Sequence, residues 1–221
     1  MGTTTTLNLP PAEAVHIEIM RAVAKDIQDL PMVLKGGTAL LLCYGLDRFS
    51  EDLDFDAPKK FSLASRVERV LARVAPDFSL KTVKDTQTVQ RLKVHYRKEA
   101  FERLLKIETS FREAPNPEDV VVADGIRTYR VGALIDQKVR ALAGRTKARD
   151  LYDLAFLARA YRPDFSSAAL AAITKIMHDV DTVEARFREA FEDDTILSAD
   201  QLPELILQLT ELGSPRPFSA P

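Results

Sequence analysis

RFSEDLDFD, Arg48 to Asp56, sets four carboxylates into nine residues on a segment that also has the period of two of a β-strand. Leu53 and Phe55 point to one side and Asp52, Asp54 and Asp56 to the other, because successive side chains of a strand alternate between its faces. Pro58 ends the run. Two aspartates one residue apart on a strand project from the same face, a few Å from each other, where like charges repel unless something neutralises them. A divalent cation does so naturally. Oxygen-only donors suit Mg2+ or Mn2+, which take one or two protein carboxylates and complete their shell with water and substrate phosphate. On its own the D-x-D pattern reads equally well as the wet face of an edge strand.

The residues just upstream shift that balance. MVLK, ending at Lys35, reads as a short buried strand broken by Gly36 and Gly37, and TALLLCYGL as a mostly buried helix closed near Gly45. KGGT, Lys35 to Thr38, therefore falls at a strand-to-helix turn, where glycines let backbone N–H groups approach an anion and the helix N-terminus favours phosphate. It is not a Walker loop, since G-x-x-x-x-G-K-[ST] is absent. Taken alone, Gly36-Gly37 is an ordinary tight turn. A phosphate cradle followed about fifteen residues later by a metal strand is far more specific than either part.

Outward from this centre, residues 12–29 place Val15, Ile19, Ala22 and Val23 on one helical stripe that stops before Pro31, and residues 62–74 form an amphipathic pattern with Ser62 as a candidate cap. FSLKTVKD, VQRLKVHYR and LLKIETSF read as three strands; the second sets Leu92, Val94 and Tyr96 against Arg91, Lys93, His95 and Arg97. APNPEDVVVADGI is read as a turn-rich connection. From Val131 the pattern is helical through VGALIDQKVRALAG, ARDLYDLAFLARAY, SSAALAAITKIMHDV, TVEARFREAFE and ADQLPELILQLTEL, with a loose tail, GSPRPFSAP. No internal repeat is evident. The plan is α+β, an N-terminal α/β domain over residues 1–128 and a helical C-terminal domain over 129–221.

Composition sets the bounds. With 221 residues, 46% of them hydrophobic, the chain can bury a real core. A formal net charge of −2 with 29% charged residues announces no global field for nucleic acid, so any basic surface is local. The single cysteine, Cys43, excludes an internal disulfide and suits a reducing compartment, the cytoplasm. No apolar run approaches the ~20 residues that span a bilayer, so no membrane partner is expected.

GGTALLLCYGLDRFSEDLDFD, Gly36 to Asp56, resembles the first motif of the AbiEii-type toxins, including the MenT group, within the DNA polymerase β-like nucleotidyltransferase superfamily, whose pattern is G-[GST] followed by D-x-[DE]. LIDQKVRALAGRTKARDLYDL, Leu134 to Leu154, is similar to the family's later K-x-x-A and R-D-x-x-D-L segments. The resemblance implies a polymerase β-like N-terminal domain, a mixed sheet flanked by helices, that carries a metal-dependent nucleotidyltransferase. Gly36, Gly37 and Thr38 match the loop holding the nucleotide's phosphates, and Asp52 and Asp54 the metal pair. Glu108, in KIE, is the candidate third metal ligand, with a pairing to Lys106 as the alternative. Asp56 lies one position past the pattern and is set aside as support for the strand end. Lys138 matches a lysine expected to contact triphosphate. Asp150 and Asp153 share a helical face, one orienting Lys138 or Arg149 and the other meeting nucleotide or metal; Asp150 is preferred, and a helix cap and charge pair is the structural alternative.

The resemblance also implies transfer of NMP from an NTP to the 3′ acceptor end of tRNA, blocking translation, with a cognate antitoxin encoded nearby. Arg127, Arg130, Lys138, Arg140, Arg145, Lys147 and Arg149, with only Asp136 against them, join the Arg91 to Arg97 face as a candidate basic groove for a nucleic-acid backbone, or as solvated surface. Ser50 falls within the family's S-x-D-x-D pattern. It is a candidate nucleotide-site residue, a turn-capping hydroxyl and a candidate phosphorylation switch, since about −1.5 to −2 charges there would compete for metal. Two other functions stay open: modification of a protein hydroxyl or small molecule by the same fold, and non-catalytic nucleotide or RNA binding.

Overall fold

The structure, a computed structural model, describes residues 9–213, so the tail read as loose lies, from Ser214 on, outside the described residues. The chain divides into two compact units, the first ending at Arg130 and the second beginning at Val131. The first is α/β and the second helical, the α+β class expected of this sequence.

In the first unit, helix α1 (Pro11–Asp26) precedes strand β1 (Val33–Lys35), which runs without a loop into helix α2 (Gly36–Tyr44); strand β2 (Leu53–Asp56) follows. Helix α3 (Ala64–Val74) leads to three long strands, β3 (Asp77–Asp85), β4 (Val89–Lys98) and β5 (Phe101–Ser110), and a hairpin of β6 (Val120–Ala123) and β7 (Ile126–Tyr129) closes the unit. The seven strands form one mixed sheet in the order β3-β4-β5-β2-β1-β7-β6. β2 lies near its middle, antiparallel to β1 and parallel to β5.

The hairpin corrects the turn-rich reading of residues 114–126. Asp124 and Gly125 both take positive φ, 50° and 72°, the geometry of a two-residue type I′ turn, and Asp-Gly is the pair that adopts it most readily. The apolar run Val120 to Ala123 before that turn is a strand, and β7 pairs parallel to β1. Two boundaries also move. Gly36 and Gly37 open α2 rather than precede it, and α3 starts at an uncapped Leu63, so Ser62 does not cap it.

The alternation in β2 decides which face of the sheet is dry. Leu53 and Phe55 are buried, 0% and 2% exposed, together with Leu92, Val94, Leu105 and Ile107 of the neighbouring strands. Ile19, Met20 and Val23 of α1 and Val67, Val70 and Leu71 of α3 are buried too, and the two helices pack on each other. The alternate positions carry Asp54, Lys93, Lys106 and Glu108, all partly exposed.

His16 of α1 ties this core to the strand entry. A carbonyl can only accept, so Nε2 carries the proton and donates to the Glu51 carbonyl at 2.8 Å. Nδ1 then accepts from the Tyr96 hydroxyl at 2.6 Å.

The second unit contains α4 (Val131–Gly144), α5 (Ala148–Ala160), α6 (Ser167–Ile176), α7 (Val180–Glu192) and α8 (Leu202–Gly213). α8 packs against α5, α6 and α7, over a core that includes Leu151, Leu154, Phe187, Phe191 and Leu209. Ser166 and Asp179 cap α6 and α7 through side-chain oxygens that accept from Ala169 N–H and Thr182 N–H.

Burial holds the His16 imidazole below its ordinary pKa, with the Arg103 charge acting the same way and Glu51 opposing it. The unfolded chain thus takes up the extra proton first as pH drops through about 6.5. Stability is expected to fall with pH from there down to the folded-state value. Urea unfolding at mildly alkaline and mildly acidic pH should show this loss, and His16→Gln should flatten it; an equal decline in the variant would remove His16 as the source.

Candidate active site

Three backbone features place β2 against the start of α2. Gly36 adopts φ +74°, a left-handed conformation that a side chain disfavours, and a Cβ there would point to Asp54 Oδ2 at 3.8 Å. Glycine thus brings bare loop backbone close to the Asp54 carboxylate. At Gly37 a Cβ would stand 2.7 Å from an Arg48 guanidinium nitrogen and 3.1 Å from Ser50 Oγ, so a side chain there would require the Arg48 guanidinium to move. Arg48 is buried, 6% exposed, and donates to the Phe49 carbonyl at 2.8 Å. No side chain caps the start of α2, whose first amide groups therefore remain donors for an anion.

Thr38 is buried, and its hydroxyl donates to the Asp52 carbonyl while accepting from Ser50 Oγ at 2.8 Å. Its side chain is thus committed to holding the strand, leaving its backbone N–H as the group suited to phosphate. Ser50 is part-buried in this pair, and a phosphoryl group on it would have to displace Thr38.

Asp52, Asp56 and Glu108 are each answered by a different cation. Lys106 donates to Asp52. Asp56 accepts from Lys35 at 2.5 Å and from the Tyr129 hydroxyl at 2.9 Å. Glu108 lies in register beside Asp54, but its carboxylate is held by Arg91, at 2.7 Å from Nε and 2.6 Å from Nη2. Lys106 therefore pairs with Asp52 rather than with Glu108. Among the described residues no group of three or more His, Cys, Asp or Glu side chains stands together as a metal site.

Asp54 is the carboxylate left most exposed to its like-charged neighbours. Burial pushes its pKa up, and the charges of Asp52 and Glu108 add to this against the pull of Lys106 and Lys35. The Lys106 pKa is raised as well: burial would lower it, but the bond to Asp52 and the surrounding carboxylates raise it above the ordinary lysine value. An oxygen-only donor pair, crowded negative charge and a glycine loop close to Asp54 together fit a divalent cation and a phosphate.

The later motif forms its own cluster in the helical unit. Lys138 of α4, 8% exposed, places Nζ 2.9 Å from Asp150 Oδ1 and 2.6 Å from Asp153 Oδ2 of α5. Arg145 also binds Asp150, at 2.6 Å. Burial alone would lower the Lys138 pKa; Asp153 and Asp150 reverse that and raise it. Burial alone would raise Asp150, while Arg145 and Lys138 hold it below the usual carboxylate range. Arg149 turns to Asp194 at 2.9 Å. Asp150 and Asp153 both engage Lys138.

The basic stretch from Arg127 to Arg149 is less basic than its sequence. Arg130 pairs with Asp119 and Arg149 with Asp194, acids distant in sequence, while Arg127 donates to the Gln28 carbonyl at 3.2 Å. With Lys138 and Arg145 neutralised as above, Arg140 and Lys147 are left as exposed cations of that stretch. Sequence reasoning passed over Arg48, Lys35 and the bond of Lys106 to Asp52. The alternation of β5 places Lys106 and Glu108 on one face, but only the strand order puts β2 beside them.

The model of the family described as nucleotidyl transferase AbiEii toxin, type IV toxin–antitoxin system, matches residues 18–215. This chain belongs to that family. Two crystal structures from Helicobacter pylori are similar to it, one of a candidate nucleotidyltransferase and one of JHP933. Each has 37% identity and a TM-score of 0.84 over 93% of this chain, covering 94% and 92% of the respective relative. No curated protein matches significantly. The chain is accordingly a nucleotidyltransferase of a toxin–antitoxin system, which implies an NTP substrate and an antitoxin. No helix among the described residues is long and apolar enough to cross a membrane.

Lys138→Met would leave Asp150 and Asp153 buried without their shared cation. A loss of about 3–5 kcal/mol in stability is expected, the scale of breaking a buried ion pair. Chemical denaturation of the variant checks this; unchanged stability would assign Lys138 to ligand binding alone.

Proposed function

We propose that this nucleotidyltransferase transfers NMP from an NTP to the 3′-terminal hydroxyl of tRNA and so blocks translation, with Asp52 and Asp54 holding divalent metal, Mg2+ or Mn2+. The observation that carries the reading is the close approach of the glycine loop at Gly36 to Asp54, with an uncapped helix start on one side and crowded carboxylates on the other. That pairing suits a triphosphate and its counter-cation together.

In the reaction the ribose oxygen bonds to the α-phosphorus, the bond from that phosphorus to the bridging oxygen breaks, and pyrophosphate leaves as the hydroxyl proton is lost. Bound metal would polarise the phosphoryl oxygens and lower the pKa of the attacking hydroxyl. The chain's own contribution is placement. Amides of Gly36, Gly37 and Thr38 face the phosphates, with the helix start favouring negative charge there. The Thr38 hydroxyl and the His16 imidazole fix the carbonyls of Asp52 and Glu51, so the carboxylates are held on a backbone that cannot drift. Lys106 balances Asp52 until substrate arrives and stays within reach of the charge that develops. Glu108 would be the third oxygen donor to such a metal, and in this structure its carboxylate is held by Arg91. Lys138 serves first the integrity of the helical unit, and Arg149, paired with Asp194, serves it similarly.

Asp52→Asn and Asp54→Asn are each expected to lower transfer of labelled nucleotide to total tRNA about 10³-fold, the scale of several kcal/mol of metal-supplied charge stabilisation. Asp54→Asn should at the same time raise the unfolding midpoint near neutral pH, because a carboxyl with a raised folded-state pKa costs stability while ionised. Full activity in either variant would refute the assignment. Label appearing on protein or a small molecule instead of RNA would replace the acceptor.

A further inference from the structure

We propose that the open face of the sheet beside the carboxylates is a lane for the sugar–phosphate backbone of the acceptor strand, built by Lys81, Lys84 and Lys93. The proposal rests on the RNA-acceptor reading above and says where that RNA lies.

The strand register supports it. Lys81 of β3 stands directly opposite Lys93 of β4, and Lys93 directly opposite Lys106 of β5, whose ammonium binds Asp52. One step along, after a register shift between Thr82 and Lys84, Lys84 faces Arg91, and Arg91 faces Glu108 beside Asp54. Two adjacent cross-strand rows thus run from the carboxylates to the edge of the sheet, about 10 Å across the three strands. Like charges directly opposite each other destabilise a sheet, so three lysines in a row oppose folding and need another explanation.

Arg91 and Lys106 have carboxylate partners, whereas Lys81, Lys84 and Lys93 make no ion pair among the described residues. The positive charge is confined to the level of the active carboxylates. Further along the same face, Arg97 is answered by Glu102 at 3.2 Å and Asp77 at 3.8 Å. Between that neutralised row and the lane lies an uncharged one, Ser79, His95 and Leu104, with Leu104 40% exposed. A strip of cations one chain wide, bordered by an imidazole and an apolar side chain, matches a single polynucleotide strand. Phosphates meet ammonium groups while bases find a surface to stack on.

The test titrates a fluorescein-labelled, unstructured RNA oligonucleotide against the full chain over a salt series, read by fluorescence anisotropy. The Lys81→Ala/Lys84→Ala/Lys93→Ala variant is expected to bind at least tenfold more weakly at low salt. Its plot of log affinity against log salt should be shallower by about 2, three lost phosphate contacts on a single strand. The triple Lys→Arg variant should retain binding. Binding of a fluorescent NTP analogue by the alanine variant should stay at the wild-type level, and its melting temperature should hold or rise as like charges leave the sheet. Equal RNA affinity and salt slope in wild type and alanine variant would overturn the lane while leaving the RNA acceptor standing. A wild-type chain that binds the NTP analogue but no RNA would overturn both.

Discussion

Everything at this site follows from crowding negative charge onto one face of a strand whose other face is fully buried. Leu53 and Phe55 leave β2 no freedom to rotate its carboxylates toward solvent, because turning the strand would expose both apolar side chains. The protein instead brings cations to the carboxylates, and each comes from a different element: Lys106 from β5, Lys35 from β1, Arg91 from β4. Asp54, which makes no ion pair of its own among the described residues, has its pKa raised by burial and by the neighbouring carboxylates. Burial of one face of the strand therefore fixes the crowding of charge on the other.

The backbone around these carboxylates is held at consecutive residues by two different helices. His16 reaches the Glu51 carbonyl from α1, and Thr38 reaches that of Asp52 from α2. Both helices are buried along the faces that carry these groups, so the position of β2 is referred to the core rather than to a surface loop.

Much of this was legible from sequence, and the failures have a common physical cause. The alternation Leu53-Asp54-Phe55-Asp56 and the Gly36-Gly37 turn gave the strand, the loop and their proximity, because period and backbone conformation are local properties. The β6–β7 hairpin was missed although its Asp124-Gly125 turn is a strong local signal, since the prolines before it drew the whole stretch into a loop reading. Charge pairing was harder to see. Arg130 with Asp119, Arg149 with Asp194 and Lys106 with Asp52 join residues that only the folded chain brings together, so a basic run on paper is largely neutral in space. The lysine row has the same origin: Lys81 and Lys93 become neighbours only through the strand register.

The close approach of Arg48 to Gly37 couples two positions that lie on different elements. A guanidinium 2.7 Å from where a Cβ would sit makes the absence of a side chain at 37 and the length of the side chain at 48 a single steric arrangement. Within the family the two sites should consequently drift together or not at all: a residue larger than glycine at 37 should accompany a shorter one at 48, and a chain with alanine at 37 and arginine at 48 should be rare. The glycine loop is in this sense half written in the stretch that carries the carboxylates.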